Sequence, residues 1–517
     1  MLPAKIELNE QFKKAIDIME NTNKNVFITG KAGTGKSTLL NYFRNLTRKK
    51  VVVLAPTGVA AVNIDGQTIH SFFGFKPDIT IQKIKEFKRK SSKIYKKLQT
   101  IIIDEISMVR ADLLDCVDEF LKRYGPVRNI PFGGIQMIFF GDLYQLPPVV
   151  TKQEKNIYNI NYKSPYFFEA KVFKNFSMEF IELEKIYRQK DQCFIEILNS
   201  IRNNTINEKY IDFLNSRVCP DIKEIDNFTI YLTTINKKAD DINNSYLQKL
   251  KNPIKTYTAQ IFGDFDKSYY PAEIELNIAI GAQVMLLNND SKNRWINGTV
   301  GKIVKIKKLK KYDYDVIYIQ LQDYSIVEVT PFTWEIFEYK YNEHKNIIET
   351  ETVGTFTQYP VKLAWAITIH KSQGKTFDNV IIDFSRGTFA HGQAYVALSR
   401  CTSLQGIKLI RPFRKSDIIM DWRIIKFLTE YQYNLSERDM PVEKKIEIIK
   451  DAINNNKKIE IVYLKKSDEK TRRVIQPIEI GEMVYMDKSF LGLRAYCMKR
   501  DDERVFRVDR ILEIKVL

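Results

Sequence analysis

The sequence predicts an α/β fold with two parallel sheets, a small β-barrel inserted into the second sheet domain, and a β-rich module at the C-terminal end. Short apolar segments typical of buried strands, at residues 26–28, 51–54 and 101–103, alternate with helix-like segments. The same alternation returns after Pro148, with a strand-like segment at residues 229–232. Strands that alternate with helices form parallel sheets covered on both faces.

A second pattern, in which short strands follow one another, occurs twice. Apolar and polar residues alternate from about residue 260 to 353, and glycines separate the segments, which predicts a small barrel. The C-terminal end shows a helix-like segment followed by strand-like ones. The predicted domains are a first α/β domain (1–180, with a small insertion at 75–100), a second α/β domain (181–259 and 354–437), the barrel (260–353) and the C-terminal module (441–517).

Composition narrows the function classes. The chain has 517 residues, enough for three to four domains, and 44% of them are hydrophobic. A net charge of +18 favours a polyanionic partner, although a lysine-rich composition alone could produce it. The five cysteines form no CxxC pair, no apolar run reaches the length of a membrane span, and the N-terminus has no signal-peptide pattern. These features predict a cytoplasmic protein without a membrane partner.

A glycine-rich loop at residues 30–38 is the most informative stretch of the chain. It follows an apolar strand and precedes a helix, which is the setting of a phosphate-binding loop. Backbone N–H groups and the helix N-terminus would bind the phosphates of ATP, Lys36 would reach the β- and γ-phosphates, and the Ser37 hydroxyl would hold Mg²⁺. The predicted ATP-binding residues of the loop are Gly33, Thr34, Gly35, Lys36, Ser37 and Thr38.

Two further strand ends carry candidate catalytic groups. Asp104 and Glu105 follow the strand at 101–103, where a carboxylate beside a phosphate loop holds Mg²⁺ and the next one polarises the attacking water. Gln145 follows another strand and could sense the γ-phosphate, although an ordinary polar turn is also consistent with it. Gln11, on a helix just before the loop, could contact adenine.

The second half of the chain has no phosphate loop of its own, but it can complete the first site with arginines. Arg188 and Arg400 are the candidates, because an arginine placed across a cleft stabilises charge on the transferring phosphoryl group. For either residue alone, a surface salt bridge is the alternative. The motif at residues 368–376 and the segment at 392–400 mark this second domain.

Taken together, the motifs resemble those of the PIF (petite integration frequency) DNA helicases, relatives of RecD in helicase superfamily 1. They occur in family order across residues 11–401. The matching segments are 30–37 (GKAGTGKS), 55–61 (APTGVAA), 68–73 (TIHSFF), 101–109 (IIIDEISMV), 131–149 (PFGGIQMIFFGDLYQLPPV), 183–189 (LEKIYRQ), 232–236 (LTTIN), 364–374 (AWAITIHKSQG) and 394–401 (AYVALSRC).

This resemblance implies two RecA-like domains that hold ATP between them and move 5′-to-3′ along single-stranded DNA. Carried over by motif, Gln145, Arg188 and Arg400 contact the γ-phosphate, and Gly374 lies near it. The positions that match DNA-contacting motifs are Pro56, Thr57, His70, Phe72, Thr234, Asn236, His370, Lys371 and Ser372. The implied partners are single-stranded DNA and junctions of single and double strands, and the implied state is a monomer. Replication, repair, recombination or telomere-like maintenance are the implied settings.

Some of these positions keep a second interpretation. Phe72 and Phe73 offer faces for base stacking, but core packing is the alternative and one of the two is expected in the core. His70 and His370 could donate hydrogen bonds to DNA or brace their loops. The insertion at 75–100 matches a wedge element of the family, or else is a solvated helical surface. Trp295, in the barrel, is expected to be packed.

The C-terminal module is similar to a WYL domain, which is often attached to bacterial regulators, and this favours a bacterial source. The Trp-Tyr-Leu sequence itself is replaced by Leu491-Gly492-Leu493, which leaves the usual ligand role open. Its arginines could bind nucleic acid or form salt bridges. Two alternatives to a DNA motor remain at this stage: a phosphate-loop switch with a ligand-sensing module, and a motor that tracks RNA.

Overall fold

The computed structural model describes residues 8–76, 78–86, 93–150, 158, 161–222, 224–308, 313–485 and 487–517. The chain forms two compact units, one comprising Met1–Asn199 with Asn207–Ile419 and the other comprising Ser200–Ile206 with Met420–Leu517. The first unit contains both parallel sheets and the barrel, and the second contains the C-terminal module. The predicted fold class is confirmed.

The first sheet has six parallel strands in the order β3-β2-β4-β5-β1-β6. Its central strands are completely buried, which explains why they appear in the sequence as continuous apolar runs. The predicted limit of the first domain, at residue 180, falls inside β6. The other domain limits stay predictions. The strands are β1 (Val26–Gly30), β2 (Val51–Ala55), β3 (Gln67–Thr68), β4 (Thr100–Ile103), β5 (Gln136–Phe140) and β6 (Glu179–Leu183).

Helices of the first sheet region begin at residues that the sequence favours for this position. Asn9, Thr57 and Thr68 each accept a backbone N–H with the side chain, as helix-capping residues do. The insertion at 75–100 contains two short helices, and its residues 77 and 87–92 lie outside the described part of the chain. The helices are Glu10–Asn21, Lys36–Leu46, Gly58–Asn63, Ile69–Phe73, Ile81–Glu86, Lys93–Lys97 and Ala111–Tyr124.

The second sheet is parallel, in the order β18-β7-β19-β20, and a β-rich insertion separates β7 from β18. Its helices are Gln192–Arg202, Glu208–Asn215, Asn236–Gln248 and Gln393–Leu398. The strands from β7 onward are β7 (Thr229–Thr233), β8 (Lys255–Thr258), β9 (Gln260–Gly263), β10 (Glu275–Ile278), β11 (Gln283–Leu286), β12 (Val300–Lys308), β13 (Asp315–Leu321), β14 (Ile326–Val329), β15 (Phe332–Asn342), β16 (Ile347–Gln358), β17 (Val361–Leu363), β18 (Ala366–Thr368), β19 (Asn379–Asp383) and β20 (Ile407–Leu409).

The insertion is built from antiparallel strands, as the alternating pattern predicts. A five-stranded sheet, β14-β13-β12-β11-β17, encloses an apolar core that includes Val284, Ile303 and Trp295. A second sheet, β15-β16-β9, contains the long hairpin β15–β16, which the sequence analysis did not identify. Trp295 is packed, and its indole N–H donates to Asn288 at 3.1 Å, which confirms the packing interpretation for this residue.

The C-terminal unit consists of the helices Trp422–Asp439 and Val442–Asn454 and one antiparallel sheet in the order β24-β23-β22-β21-β25. Ile449, Ile461 and Leu493 lie in its apolar core. Several arginines pair with acids inside the unit, for example Arg472 with Glu460 at 2.8 Å, which supports the salt-bridge interpretation of these residues. The strands are β21 (Ile459–Leu464), β22 (Lys470–Tyr485), β23 (Lys488–Cys497), β24 (Asp502–Arg507) and β25 (Ile511–Val516).

Candidate functional site

The loop between β1 and the helix Lys36–Leu46 has the conformation that phosphate binding requires. Gly33 and Gly35 have φ angles of 82° and 86°, in the left-handed region that favours glycine. Gly35 sits at the N-terminus of the helix, so the first helical N–H groups point toward the loop. Ser37 and Thr38 are exposed in the first helical turn, where their hydroxyls can reach a ligand.

Lys36 lies over this loop. Its Nζ donates to the carbonyl oxygens of Gly30, at 2.6 Å, and Lys31, at 3.1 Å. The buried Thr34 hydroxyl also donates to the Lys31 carbonyl, at 2.9 Å. Thr34 therefore braces the loop through its side chain, and its contribution to phosphate binding is left to the backbone.

Asp104 and Glu105 stand at the end of β4. An Asp104 carboxylate oxygen accepts the Glu105 backbone N–H at 2.9 Å, and Glu105 has a φ angle of 49°, which is uncommon for a residue with a side chain. Burial raises the pKa of Asp104 to about 6. Burial, together with the neighbouring Asp104 charge, raises the pKa of Glu105 to about 7, and the nearby charge of Lys36 opposes both shifts. A buried carboxyl with a pKa near neutrality is suited to proton transfer.

Gln373 connects this carboxylate to the second domain, and the sequence analysis did not select it. Its side-chain amide donates to the Glu105 carboxylate at 3.2 Å and to the Gln145 side-chain oxygen at 3.1 Å. Gln145 is buried, and its own amide lies 3.4 Å from Asp142. The available signal was the position of Gln373 inside the motif at residues 368–376, directly before Gly374.

Arg188 lies against the phosphate-binding loop. The Tyr187 N–H donates to the Gly33 carbonyl at 2.8 Å, and a Cβ at Gly33 would collide with the Cβ of Arg188. Glycine at position 33 is thus required by close packing as well as by its φ angle. The guanidinium of Arg188 donates to the Ser399 carbonyl at 3.3 Å, and burial lowers the pKa of Arg188.

Arg400 is almost completely buried, which contradicts a surface salt bridge for this residue. Its guanidinium donates to the carbonyls of Val396, at 2.8 Å, and Lys375, at 3.3 Å, and to the Ser399 hydroxyl at 2.9 Å. Burial, and secondly the charge of Arg188, lowers the pKa of Arg400 to about 9, while the Glu105 charge raises it. The two arginines and the Glu105 carboxylate therefore share one electrostatic environment.

Three more contacts join the two sheet domains around this site. The Ala32 N–H, in the phosphate-binding loop, donates to the Tyr395 hydroxyl at 3.0 Å. The His391 ring donates to the Leu143 carbonyl at 3.0 Å, and Gly392 lies against the backbone of Tyr144. Tyr395 and Gly392 belong to the segment at 392–400 that the sequence analysis marked, and His391 directly precedes it.

The remaining predicted nucleotide contacts have simpler surroundings. Gln11 is half-buried in the first turn of the helix Glu10–Asn21, close in sequence to the loop-facing Phe12. Gly374 has a φ angle of 78°, and a Cβ there would meet open space. The backbone conformation, rather than crowding, therefore favours glycine at position 374.

The predicted DNA contacts in the first domain differ in accessibility. Thr57 is exposed, caps the helix Gly58–Asn63 and follows the half-buried Pro56. His70 is half-buried, and burial lowers its pKa, with a smaller effect from the charge of Arg110. Phe72 is only 4% exposed and packs edge-on against Tyr95. Its predicted stacking on DNA is corrected by this burial, and the core interpretation applies.

In the second domain, Asn236 and Lys371 are exposed, and Thr234 and His370 are half-buried. Ser372 is completely buried, and its hydroxyl donates to the Ile369 carbonyl at 2.7 Å. The prediction that this side chain touches DNA is therefore corrected, because the hydroxyl is used inside the protein.

An asparagine in the barrel links three parts of the first unit. The Asn297 amide donates to Asn63 at 2.8 Å, at the end of the helix Gly58–Asn63, and its oxygen accepts from Lys375 at 2.7 Å. Lys375 follows Gly374 directly. Burial lowers the pKa of Lys375 to about 8. This link connects the first sheet domain, the barrel and the motif of the second sheet domain.

Two features of the described residues limit other interpretations. Their helices include none with both the length and the apolar content of a membrane span. The same residues contain no group of three or more His, Cys, Asp or Glu side chains placed to hold a metal ion. A metal site made only of such ligands is thus not found in this part of the chain.

Comparisons with known proteins agree with the site geometry. The family model for PIF1-like helicase matches residues 6–211, and that for the WYL domain matches residues 444–516. ATP-dependent DNA helicase Pif1 from Bdellovibrio bacteriovorus is 31% identical, over 83% of this chain and 93% of its own length. The protein of the same name from Campylobacter jejuni is 33% identical, over 74% of this chain and 88% of its own length.

The chain is also similar to solved structures in its three-dimensional fold. Pif1 from Bacteroides sp in complex with ADP-AlF4 has 38% identity and a TM-score of 0.76, over 83% of this chain and 98% of that one. Bacteroides Pif1 bound to ssDNA has 37% identity and a TM-score of 0.59, over 85% of this chain and 98% of that one. The chain therefore belongs to the family of PIF1-like, ATP-dependent DNA helicases, with a WYL domain at its C-terminal end.

Proposed function

We propose that this helicase moves 5′-to-3′ along single-stranded DNA and unwinds duplex ahead of it, with each step driven by one ATP bound between the two sheet domains. The contact of Gln373 with Glu105 carries this proposal. Gln373 lies two residues after Lys371 and three after His370, and we assign both of these motif residues to the DNA strand. A shift of that strand contact would therefore move a side chain that touches the catalytic carboxylate.

The ATP roles follow from the chemistry of the site. Lys36 and the loop N–H groups bind the phosphates, and Gln11 contacts adenine. Glu105 accepts the proton of the attacking water, and Gln145 orients that water. Arg188 and Arg400 stabilise the negative charge that develops on the transferring phosphoryl group. Because both arginines bond to the segment at 396–399, this stabilisation depends on the position of the second domain.

Ser37 and Asp104 fit a magnesium ion. One hydroxyl and one carboxylate provide hard oxygen ligands, and Mg²⁺ usually completes its shell with water and substrate phosphates instead of a full protein cage. The absence of a three-ligand cluster among the described residues is consistent with such a site. When bound, the ion would neutralise charge on the β- and γ-phosphates.

Two sets of DNA contacts, one on each sheet domain, would grip the strand in alternation as the ATP site closes and opens. We assign Pro56, Thr57 and His70 to the first set. Thr234, Asn236, His370 and Lys371 form the second set. Short polar and charged groups of this kind bind the phosphate backbone without reading sequence. Relatives solved with ssDNA and with forked dsDNA support this assignment.

The net charge of +18 supports a polyanionic track. Lysine and arginine side chains that bind the phosphates of DNA would release the counterions of those phosphates. We further propose that the protein acts as a monomer in a bacterial cytoplasm, at junctions of single and double strands, in replication, repair or recombination. The curated bacterial relatives support the bacterial setting.

Unwinding of tailed duplexes tests the proposal. Duplexes with a 5′ tail, a 3′ tail or no tail are incubated with ATP and Mg²⁺, and strand separation is followed by fluorescence. We expect unwinding of the 5′-tailed duplex only, and none by Lys36→Ala. Unwinding from the 3′ tail would contradict the polarity. An ATPase rate that single-stranded DNA does not stimulate would favour a phosphate-loop switch, and stronger stimulation by RNA of the same sequence would favour an RNA track.

A further inference from the structure

We propose that Phe389 and His370 form a stacking platform for one nucleobase of the bound strand. The proposal rests on the DNA-motor function above and adds a base contact to a set of residues that otherwise suits phosphates. Phe389 lies in the loop between β19 and the helix Gln393–Leu398. It is outside the motifs described above and has no role in the proposed mechanism.

The two rings are nearly parallel, with planes at 15° and centroids 6.0 Å apart. Phe389 is 64% exposed, whereas His370 is half-buried beneath it. One ring of the pair is thus held by the protein, and the other presents a face to solvent. The exposed face of Phe389 thus lies next to a residue of a DNA motif, where a base of the bound strand could reach it.

Two hydrogen bonds hold the backbone of the loop at this ring. The Phe389 backbone N–H donates to the side-chain oxygen of Gln393 at 3.0 Å, and Gln393 is completely buried. The Thr388 hydroxyl donates to the Asp417 carbonyl at 2.8 Å. A base that stacks on Phe389 would therefore meet a surface that is already ordered, which lowers the entropic cost of binding.

Charges beside the pair suit the backbone of a single strand. Lys371 and Arg386 are both exposed, one next to His370 and the other three residues before Phe389. Cations that contact phosphates next to an aromatic face are the common arrangement of proteins that bind single strands without sequence preference. Burial lowers the pKa of His370, so near neutral pH its ring is uncharged and supports Phe389 by stacking.

The test separates base stacking from phosphate binding. Binding of wild type, Phe389→Ala, Phe389→Leu and Phe389→Trp is measured by fluorescence anisotropy on a thymidine oligonucleotide and on an abasic oligonucleotide of equal length. Phe213→Ala, which removes another partly exposed phenylalanine, is the control. Base–aromatic stacking contributes ~1–3 kcal/mol, so we expect Phe389→Ala to weaken binding of the thymidine strand ~5- to 150-fold. Phe389→Leu should weaken binding of this strand to a similar extent, and Phe389→Trp should bind it as tightly as wild type does.

On the abasic strand, Phe389→Ala and wild type should bind equally, because only phosphate contacts remain. Equal thymidine binding by Phe389→Ala and wild type would overturn the stacking role and leave the motor function intact. An equal loss on both strands would overturn it too, since the ring would then act through the fold or through the backbone contacts. Failure of the wild type to bind either strand would instead contradict the proposed function itself. Capture of an apolar peptide by Phe389, with unchanged DNA binding, would assign the ring to a protein partner.

Discussion

The side-chain amide of Gln373 lies 3.2 Å from a carboxylate oxygen of Glu105. Gln373 belongs to the second sheet domain, and Glu105 ends a strand of the first. The hydrogen bond therefore reports on the relative position of the two domains at the place where ATP would be hydrolysed. Only two residues separate Gln373 from His370, which we assign to DNA.

Replacing Gln373 by leucine removes both of its amide hydrogen bonds and keeps most of the side-chain volume. We expect the ATPase rate at saturating single-stranded DNA to fall about tenfold, because one hydrogen bond to a charged group contributes ~1.5–3 kcal/mol. The DNA-independent rate and the affinity for ATP should change little.

Steady-state ATPase assays with and without DNA measure the effect, and Gln192→Leu, at an exposed glutamine, is the control. An equal loss with and without DNA would show that Gln373 supports catalysis without transmitting DNA binding.

Gly392 and Gly387 form a matched pair of glycines for testing the contact between the domains. Both have a φ angle of 71°, so alanine strains the backbone equally at either position. An alanine Cβ at 392 would collide with the Tyr144 carbonyl of the first domain, whereas a Cβ at 387 would meet open space.

We therefore expect Gly392→Ala to lower DNA-stimulated ATPase activity at least tenfold and Gly387→Ala to leave it within twofold of wild type. Both variants should still bind an ATP analogue. Similar activity of the two variants would mean that the domains tolerate separation at this contact.

The alanine variants of Arg188 and Arg400 should differ in thermal stability. Removal of either guanidinium is expected to lower kcat by about 10³, since we propose that each stabilises charge on the transferring phosphoryl group. Arg400 is almost fully buried and donates hydrogen bonds to several groups of its own domain, so Arg400→Ala should also lower the melting temperature.

Arg188→Ala should melt close to wild type, because among the described residues its guanidinium donates one hydrogen bond, to the Ser399 carbonyl. Thermal unfolding and single-turnover hydrolysis measure the two effects. A full rate in either variant would remove that arginine from the proposed mechanism.

Features of the fold and the site that local sequence determines were predictable, and features that depend on distant contacts were not. The buried strands and the phosphate-binding loop were predictable, because continuous apolar runs and glycine spacing are local signals. The sequence left open whether Phe72 stacks on DNA or lies in the core, since this depends on neighbours such as Tyr95. The burial of the Ser372 hydroxyl was not predicted from its motif. A motif match places a residue near a ligand, but it does not say which way the side chain points.

The contact of Gln373 was missed for the same reason. Its partners, Glu105 and Gln145, lie more than 200 residues away, and only the folded chain brings them together. The long hairpin β15–β16 was missed because its pattern of burial is irregular, with exposed and half-buried positions in no strict alternation.

Lys375 should make stability depend on pH. Because burial lowers its pKa to about 8, the charged form is disfavoured in the folded state relative to the unfolded chain, in which lysine titrates near 10.5. The resulting penalty is fully present below pH 8 and disappears as the pH rises toward 10.5.

We expect Lys375→Met to melt at a higher temperature than wild type at pH 7, and the difference to shrink between pH 8 and 10. Melting curves across this range, with Lys251→Met as an exposed control, measure it. A difference that does not vary with pH would show that Lys375 is solvated in the folded protein.

The central claim is that one nucleotide is bound by groups from both sheet domains, so that hydrolysis moves the domains relative to each other. A crystal structure of the protein with ADP–aluminium fluoride, Mg²⁺ and single-stranded DNA tests this most directly. We predict that Lys36 and the guanidinium groups of Arg188 and Arg400 lie within hydrogen-bonding distance, about 3 Å, of the fluoride ligands. Either arginine remaining outside the nucleotide site in that complex would contradict the account.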